Sequence, residues 1–216
     1  MFADKVIVAT GGISYVLTGS TGDGYRFAKS CGHTVTSLSP ALVPFTIGEE
    51  WCLSLQGLSL KNVQATVEAD GKVIYSDFGE MLFTHYGVSG PLILSASSVM
   101  GRKLQKNPLR MVIDLKPALE ENKLNERILW DLEMYQNRAM ENALTDLLPR
   151  SMIPVILEKA QIDPQMQANS LKKQQRRALV ELLKGFEMEI TGKRPVAEAI
   201  ITSGGIKVSE IDPKTM

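Results

Sequence analysis

Cysteine, histidine, aromatic residues and net charge are all scarce in this sequence, and each shortage excludes something. Cys31 and Cys52 stand alone with no C-x-x-C pair, and His33 and His85 are the only imidazoles, so no metal-ligating set is predicted. The two cysteines are expected as free, buried thiols, because a disulfide between them would need an oxidising compartment. Twenty-four basic side chains match 24 acidic ones, which removes the broad positive field that non-specific nucleic-acid or anionic-membrane binding requires. No nucleic acid and no membrane is therefore the expectation for partners. No run approaches the roughly 18 apolar residues of a membrane span, and Met1-Phe2-Ala3-Asp4-Lys5 lacks the design of a signal peptide, so a cytoplasmic location is expected.

What is present is an ordinary globular composition, 44% hydrophobic and 22% charged over 216 residues, enough for one or two domains. Residues 5–12, Lys-Val-Ile-Val-Ala-Thr-Gly-Gly, form a β-branched run halted by glycines, the pattern of a strand buried on both faces of a parallel sheet. Residues 18–24 form a cluster of glycines and hydroxyls, Thr-Gly-Ser-Thr-Gly-Asp-Gly, and lead into a two-turn helix. Asp23 is the expected N-cap and Gly32 the left-handed residue that ends it.

From His33 to about Pro117 the signals are mainly β. Val63, Ala65 and Val67 alternate before Asp70-Gly71, and Val73 and Tyr75 alternate after it, which is a hairpin signature. Further strands are predicted over 35–38, 42–47, 55–60 and 111–115, while 79–98 mixes apolar and turn residues and fits neither period. Between about 118 and 185 the apolar spacing becomes helical, giving four stretches centred on Leu124 to Tyr135, Ala143 to Leu148, Ile153 to Leu157 and Ala178 to Leu183. Strand-like composition returns over 187–191, 196–202 and 206–210. The reading is an α+β fold: a β-barrel-like domain (33–117 and 186–205) interrupted by a small helical subdomain (118–185).

The glycine-rich turns at 9–12 and 18–24 are the strongest chemical signals, since glycine lets backbone N–H groups approach a ligand closely. Each also has a plain reading as a turn, and Asp23 has one as a helix cap. Neither G-x-G-x-x-G nor G-x-x-x-x-G-K-[ST] occurs. Lys172, Lys173, Arg176 and Arg177 share a helix face and are read as solvated surface. Met100, Met111, Met134, Met140, Met152 and Met166 are read as core or interface filler.

Taken together, V-I-V-A-T-G-G at 6–12, T-G-S-T-G-D-G-Y at 18–25, L-V-P at 42–44, G-E-M-L-F-T-H-Y-G-V-S-G-P at 79–91 and T-S-G-G-I at 202–206 resemble the BaiN-like, aminoacetone-oxidase-like flavoproteins, FAD-dependent bacterial enzymes similar to fumarate reductase and aspartate oxidase. The resemblance runs over essentially the whole chain. It implies FAD as cofactor, a small-molecule substrate, and NAD(P)H or dioxygen as the second redox partner. It further implies that Ala9, Thr10, Gly11 and Gly12 pass beside the FAD, that Thr21, Gly22, Asp23 and Gly24 lie close to it at a helix start, and that Gly204 and Gly205 face the flavin.

A family member would open with a G-x-G-x-x-G nucleotide-binding segment and close with a glycine-rich segment over the flavin. The resemblance therefore implies an internal fragment, with remnants of an FAD-binding α/β domain at 1–32 and 206–216, inactive and binding FAD poorly by itself. The alternative is a free-standing, non-catalytic binding module. His85 has two readings, a hydrogen-bonded structural histidine or a catalytic proton carrier on the substrate side with Thr84 and Ser89 beside it. His33 is read as a partner of a helix C-terminus.

Overall fold

The computed structural model describes residues 4–100 and 109–214. Met1, Phe2, Ala3, Thr215 and Met216, to which the expectations about the two ends extend, lie outside the described residues. The elements run α1 (Asp23–Ser30), β1 (Ser39–Ala41), β2 (Phe45–Ile47), α2 (Trp51–Ser54), β3 (Ser59–Ala69), β4 (Lys72–Thr84), β5 (Gly87–Ser89), α3 (Pro91–Met100), β6 (Leu109–Asp114), α4 (Glu121–Met134), α5 (Met140–Ala143), α6 (Ile153–Lys159), α7 (Lys173–Lys184), β7 (Phe186–Lys193) and β8 (Ile201–Ser203).

Six antiparallel strands close into a barrel in the order β2-β5-β4-β3-β6-β7, with β7 returning to β2. Closure follows from alternation. Phe186, Met188 and Ile190 on β7, Leu109, Met111 and Ile113 on β6, and Val63, Ala65 and Val67 on β3 are all buried, while Glu187, Glu189 and Arg110 between them face outward. A period of two places one set of side chains inside and the other in water, and closure leaves no edge strand to cover. The β3–β4 hairpin turns on Asp70 and Gly71, with φ of 50° and 72°. Two consecutive positive φ values define a type I′ turn, whose twist matches that of the strands it joins. The fold class is α+β with a barrel at its centre, as expected from the alternation.

Between β6 and β7 the chain makes α4 to α7. Their apolar faces, Leu124, Ile128 and Leu132 on α4 and Leu179, Val180 and Leu183 on α7, belong to one buried cluster with the barrel residues Phe45, Met111 and Phe186. The helices therefore extend the barrel core and do not enclose a separate one. Lys184 secures the junction: its Nζ donates to the carbonyls of Leu119 (2.8 Å) and Lys116 (3.2 Å) and lies 2.5 Å from Asp114 Oδ2. A lysine in the last turn of α7 is favoured there by the helix dipole and also occupies carbonyls in the loop that leads to α4.

Several expectations are corrected. Residues 5–12 form no strand, and Val6, Ile7 and Val8 are exposed, Ile7 to 91%. The β-branched run has the composition for a central strand, but no strand of the described residues pairs with it. The strand expected over 35–38 is reduced to a single bridge, Val35 to Ile206, and 206–210 to that bridge followed by a 3-10 turn. Residues 196–202 divide into a 3-10 turn and β8. Residues 55–58 are a turn after α2, and β3 begins at Ser59. The ambiguous stretch 79–98 resolves into the end of β4, β5 and α3. Cys52 is buried, its thiol pushed up to about 11 chiefly by desolvation and then by Glu49, but Cys31 is exposed. Met134 is exposed, unlike the buried Met100, Met111, Met140 and Met152.

Candidate functional site

The three glycine-bearing segments, far apart in sequence, come together outside the barrel. β1 pairs with β8, Ser39 opposite Ser203 and Ala41 opposite Ile201, and this two-stranded ribbon brings the returning chain alongside residues 10–25. Thr202 is the clasp. Its Oγ1 accepts from the N–H of Ile13 (2.9 Å) and of Ser14 (3.1 Å) and lies 2.9 Å from Ser14 Oγ. Residues 34–36 add a second tie, because the Thr36 hydroxyl donates to the Gly205 carbonyl (3.0 Å), the Thr36 N–H donates to the same oxygen (2.7 Å), and Gly205 N–H donates back to Thr36 Oγ1 (3.1 Å).

The glycines serve this assembly directly. A Cβ on Gly12 would stand 2.5 Å from Thr202 Oγ1, one on Gly24 would stand 2.2 Å from Thr10 Oγ1, and one on Gly204, with φ of 93°, would stand 2.4 Å from the Ser37 carbonyl oxygen. Sequence reading assigns these glycines to close approach by a ligand. In the fold, close approach of the chain to itself already accounts for Gly12, Gly24 and Gly204. Helix α1 is entered through Gly22 at φ 83°, so Gly22 is the N-cap and Asp23 the first helical residue, a correction of the expected cap. The Asp23 carboxylate instead accepts from Thr21 Oγ1 (3.0 Å) and pairs with Arg26 (3.0 Å). At the other end Gly32 is left-handed, with His33 N–H on the Ala28 carbonyl and Gly32 N–H on Lys29, a Schellman closure. His33 Nδ1 lies 3.6 Å from Glu210.

Beside the clasp is an open cleft of about 380 Å³ lined by Gly12, Ser14, Tyr15, Thr18, Ser20, Tyr25 and the stretch 200–202. Four hydroxyl-bearing side chains and two phenol rings face a volume suited to a planar heteroaromatic group with polar edges. Among the described residues no hydrogen bond takes up the N–H of Gly11 or Gly12, and of the two Gly12 lines the cleft. The residues present fit a flavin. Tyr25, Ser20 and Thr202 stand in the motifs quoted from sequence without a role of their own, and Ser14 lies outside them. Their signal was the hydroxyl residue interleaved with each glycine run.

His85 lies elsewhere. It is exposed at the two-residue turn between β4 and β5, packed edge-on against Tyr86 with ring centroids 4.7 Å apart. It lines a separate cleft of about 310 Å³ with Gln56, Gly57, Phe83 and Thr84. Thr84 Oγ1 is buried there without a hydrogen-bond partner among the described residues. The Arg194 guanidinium lies over the Tyr86 ring, 4.4 Å from its centroid, and Arg194 pairs in turn with Glu198. Thus the structure unites the three glycine segments and leaves His85 outside them.

The chain belongs to a family of FAD-dependent flavoproteins: the model described as HI0933-like protein barrel and H2TH domain matches residues 39–201. The matched span begins at β1 and ends at β8, so it takes in the barrel and all four inserted helices. Among curated proteins the chain is similar to a 3-dehydro-bile acid delta(4,6)-reductase of Clostridium scindens, 27% identical over 215 residues, 99% of this chain and 52% of the relative. It is also similar to ribosomal RNA dihydrouridine synthases of Escherichia coli, 29% identical over 215 residues (99% of this chain, 50% of the relative), and of Haemophilus influenzae, 31% identical over 216 residues (98% and 50%). The chain spans about half the length of these curated relatives. The expectation that nucleic acid is no partner gains no support, since two of these relatives are named for ribosomal RNA.

Proposed function

We propose that this chain is the barrel-and-helix portion, with the cofactor-facing ends, of an FAD-dependent oxidoreductase that reduces a carbon–carbon double bond conjugated to a carbonyl. The two kinds of relative share that chemistry in their names, one removing unsaturation from a 3-dehydro-bile acid and the other making dihydrouridine. The observation that carries the reading is the convergence of Gly12 and Ser14, of Ser20 and Tyr25, and of 200–202 on one hydroxyl-lined cleft, with the Gly12 N–H unused by the chain. When bound there, the flavin supplies the hydride. Gly12, Ser14, Ser20 and Tyr25 would hold its polar edge, and Thr202 fixes the loop that carries Gly12 and Ser14. Ala9, Thr10, Thr21, Gly22, Asp23, Gly24, Gly204 and Gly205 shape the backbone around it.

NAD(P)H is the proposed electron donor and a small conjugated carbonyl compound the acceptor. His85 is proposed to deliver the proton on the substrate side. Its support is its exposure and the spare buried hydroxyl of Thr84 beside it. By itself the chain is proposed to hold FAD weakly and to be inactive, with 33–117 and 186–205 as barrel, 118–185 as helical insert, and 1–32 and 206–216 as parts of the nucleotide-binding domain.

The test joins the chain to the remainder of such a protein. The product should be yellow, should be bleached by NAD(P)H and should be re-oxidised by a conjugated enone. His85→Asn should slow flavin turnover about 10²-fold with flavin content unchanged. A colourless product, or a His85 variant with unaltered turnover, would refute the corresponding part.

A further inference from the structure

Between the barrel and the inserted helices lies a third cleft, of about 270 Å³, with Lys61, Lys116 and Pro149 at its mouth. Its floor is apolar: Leu60, Val63, Leu115, Leu148 and Met152 are all buried members of the common core. Its rim is cationic, and neither Lys61 nor Lys116 has an acidic partner among the described residues. Lys116 is the unusual one. Its backbone is fully engaged, the N–H donating to Asp114 Oδ1 (2.8 Å) and the carbonyl accepting from Lys184 Nζ. Its ammonium has no hydrogen bond or ion pair among the described residues. Burial, and then the neighbouring Arg127 guanidinium, lowers its pKa. Asp114, which accepts from the Lys116 backbone N–H, is paired with Lys184, and Asp131 is paired with Arg127.

A half-buried ammonium lacking a counter-charge is costly, and an anion that arrives with its own apolar body removes that cost while covering the floor. We infer that this cleft binds a small amphiphilic monocarboxylate, its carboxylate between Lys61 and Lys116 and its hydrocarbon portion on Leu60, Leu148 and Pro149. The site is separate from both the glycine cleft and the His85 cleft, and the occupant touches barrel and helices together, so it would stiffen the junction that Lys184 secures.

The probe is octanoate, titrated into the full chain at neutral pH with amide-resolved spectra, with octan-1-ol and inorganic phosphate as parallel titrants. Octanoate should shift the amides of Lys61, Val63, Leu115 and Leu148, and octanol and phosphate should each bind at least about tenfold more weakly, as loss of a charged hydrogen bond or of the apolar contact predicts. Lys116→Met keeps the aliphatic stem and should weaken octanoate about tenfold or more; Lys61→Gln serves as a second variant that leaves the junction untouched and should also weaken it. Octanol binding as tightly as octanoate, phosphate binding as tightly as octanoate, or both variants retaining full affinity would overturn the inference.

Discussion

The barrel with its helices and the two terminal segments are stabilised by different means. From Phe45 to Ile190 a single buried cluster of Phe, Leu, Ile, Val and Met side chains runs through barrel and helices without interruption. In residues 4–38, by contrast, Ala28 is the sole hydrophobic residue among those buried, while Val6, Ile7, Tyr15, Val16, Leu17 and Phe27 are exposed. What holds this region is hydroxyl-to-backbone bonding at Thr202 and Thr36 and the tight packing of glycines. The body thus has a hydrophobic driving force of its own, whereas the ends have a defined geometry and an uncovered apolar surface. Surfaces of that kind mark contact sites, and Tyr15 among these residues lines the cleft proposed for the flavin.

The contrast can be broken most forcefully in the core. Phe186→Ala removes a fully buried ring that packs against Trp51 with centroids 4.9 Å apart, and should cost about 3–5 kcal/mol in chemical denaturation, lowering barrel and helices together. If helical and barrel signals melted separately, the common core would be refuted. Next, Gly87→Ala should cost at least about 2 kcal/mol, because φ is 150° and a Cβ would stand 2.3 Å from the Phe45 carbonyl oxygen inside the β2–β5 pair.

A smaller and more local effect is expected from Thr202→Val, which deletes the acceptor for Ile13 and Ser14. Amide exchange at those two residues should rise about tenfold, roughly one lost hydrogen bond, with the melting of the barrel unchanged. A global loss of stability would mean that the ends share the body's cooperativity.

The mildest perturbation is acid. Glu210 has its pKa lowered, first by the backbone N–H of Thr34 and then by that residue's side chain, with Lys207 and His33 adding smaller contributions. A group whose folded pKa is depressed contributes above its ordinary value and loses that contribution as pH falls through the folded one. The bond from Thr34 to Glu210 should therefore open only below the usual glutamate range, and the Thr34 amide shift should report it while barrel amides stay still.

Much of the body was legible in the sequence because period-two and helical spacing reflect burial, and the body is what is buried. Asp70-Gly71 located its hairpin for the same reason that it forms one, two consecutive positive φ values. Residues 5–12 misled because β-branched composition records suitability for a sheet, not the presence of a partner strand. Gly12, Gly24 and Gly204 were recognised as positions of close approach, but a glycine does not say what approaches; here it is Thr202, Thr10 and Ser37. Thr202 itself was not legible as a clasp, since its three contacts lie about 190 positions away in sequence, Ser14 188 and Ile13 189.

The central claim is that flavin meets this chain at the united glycine segments. It is tested most directly by titrating FAD into the isotope-labelled chain and following every backbone amide. The account predicts weak, fast-exchanging binding with shifts confined to 10–14, 20–25 and 200–205, and no coloured protein after gel filtration. Shifts centred on the barrel wall or on α4 and α7, or no shift at the three glycine segments at millimolar FAD, would contradict it.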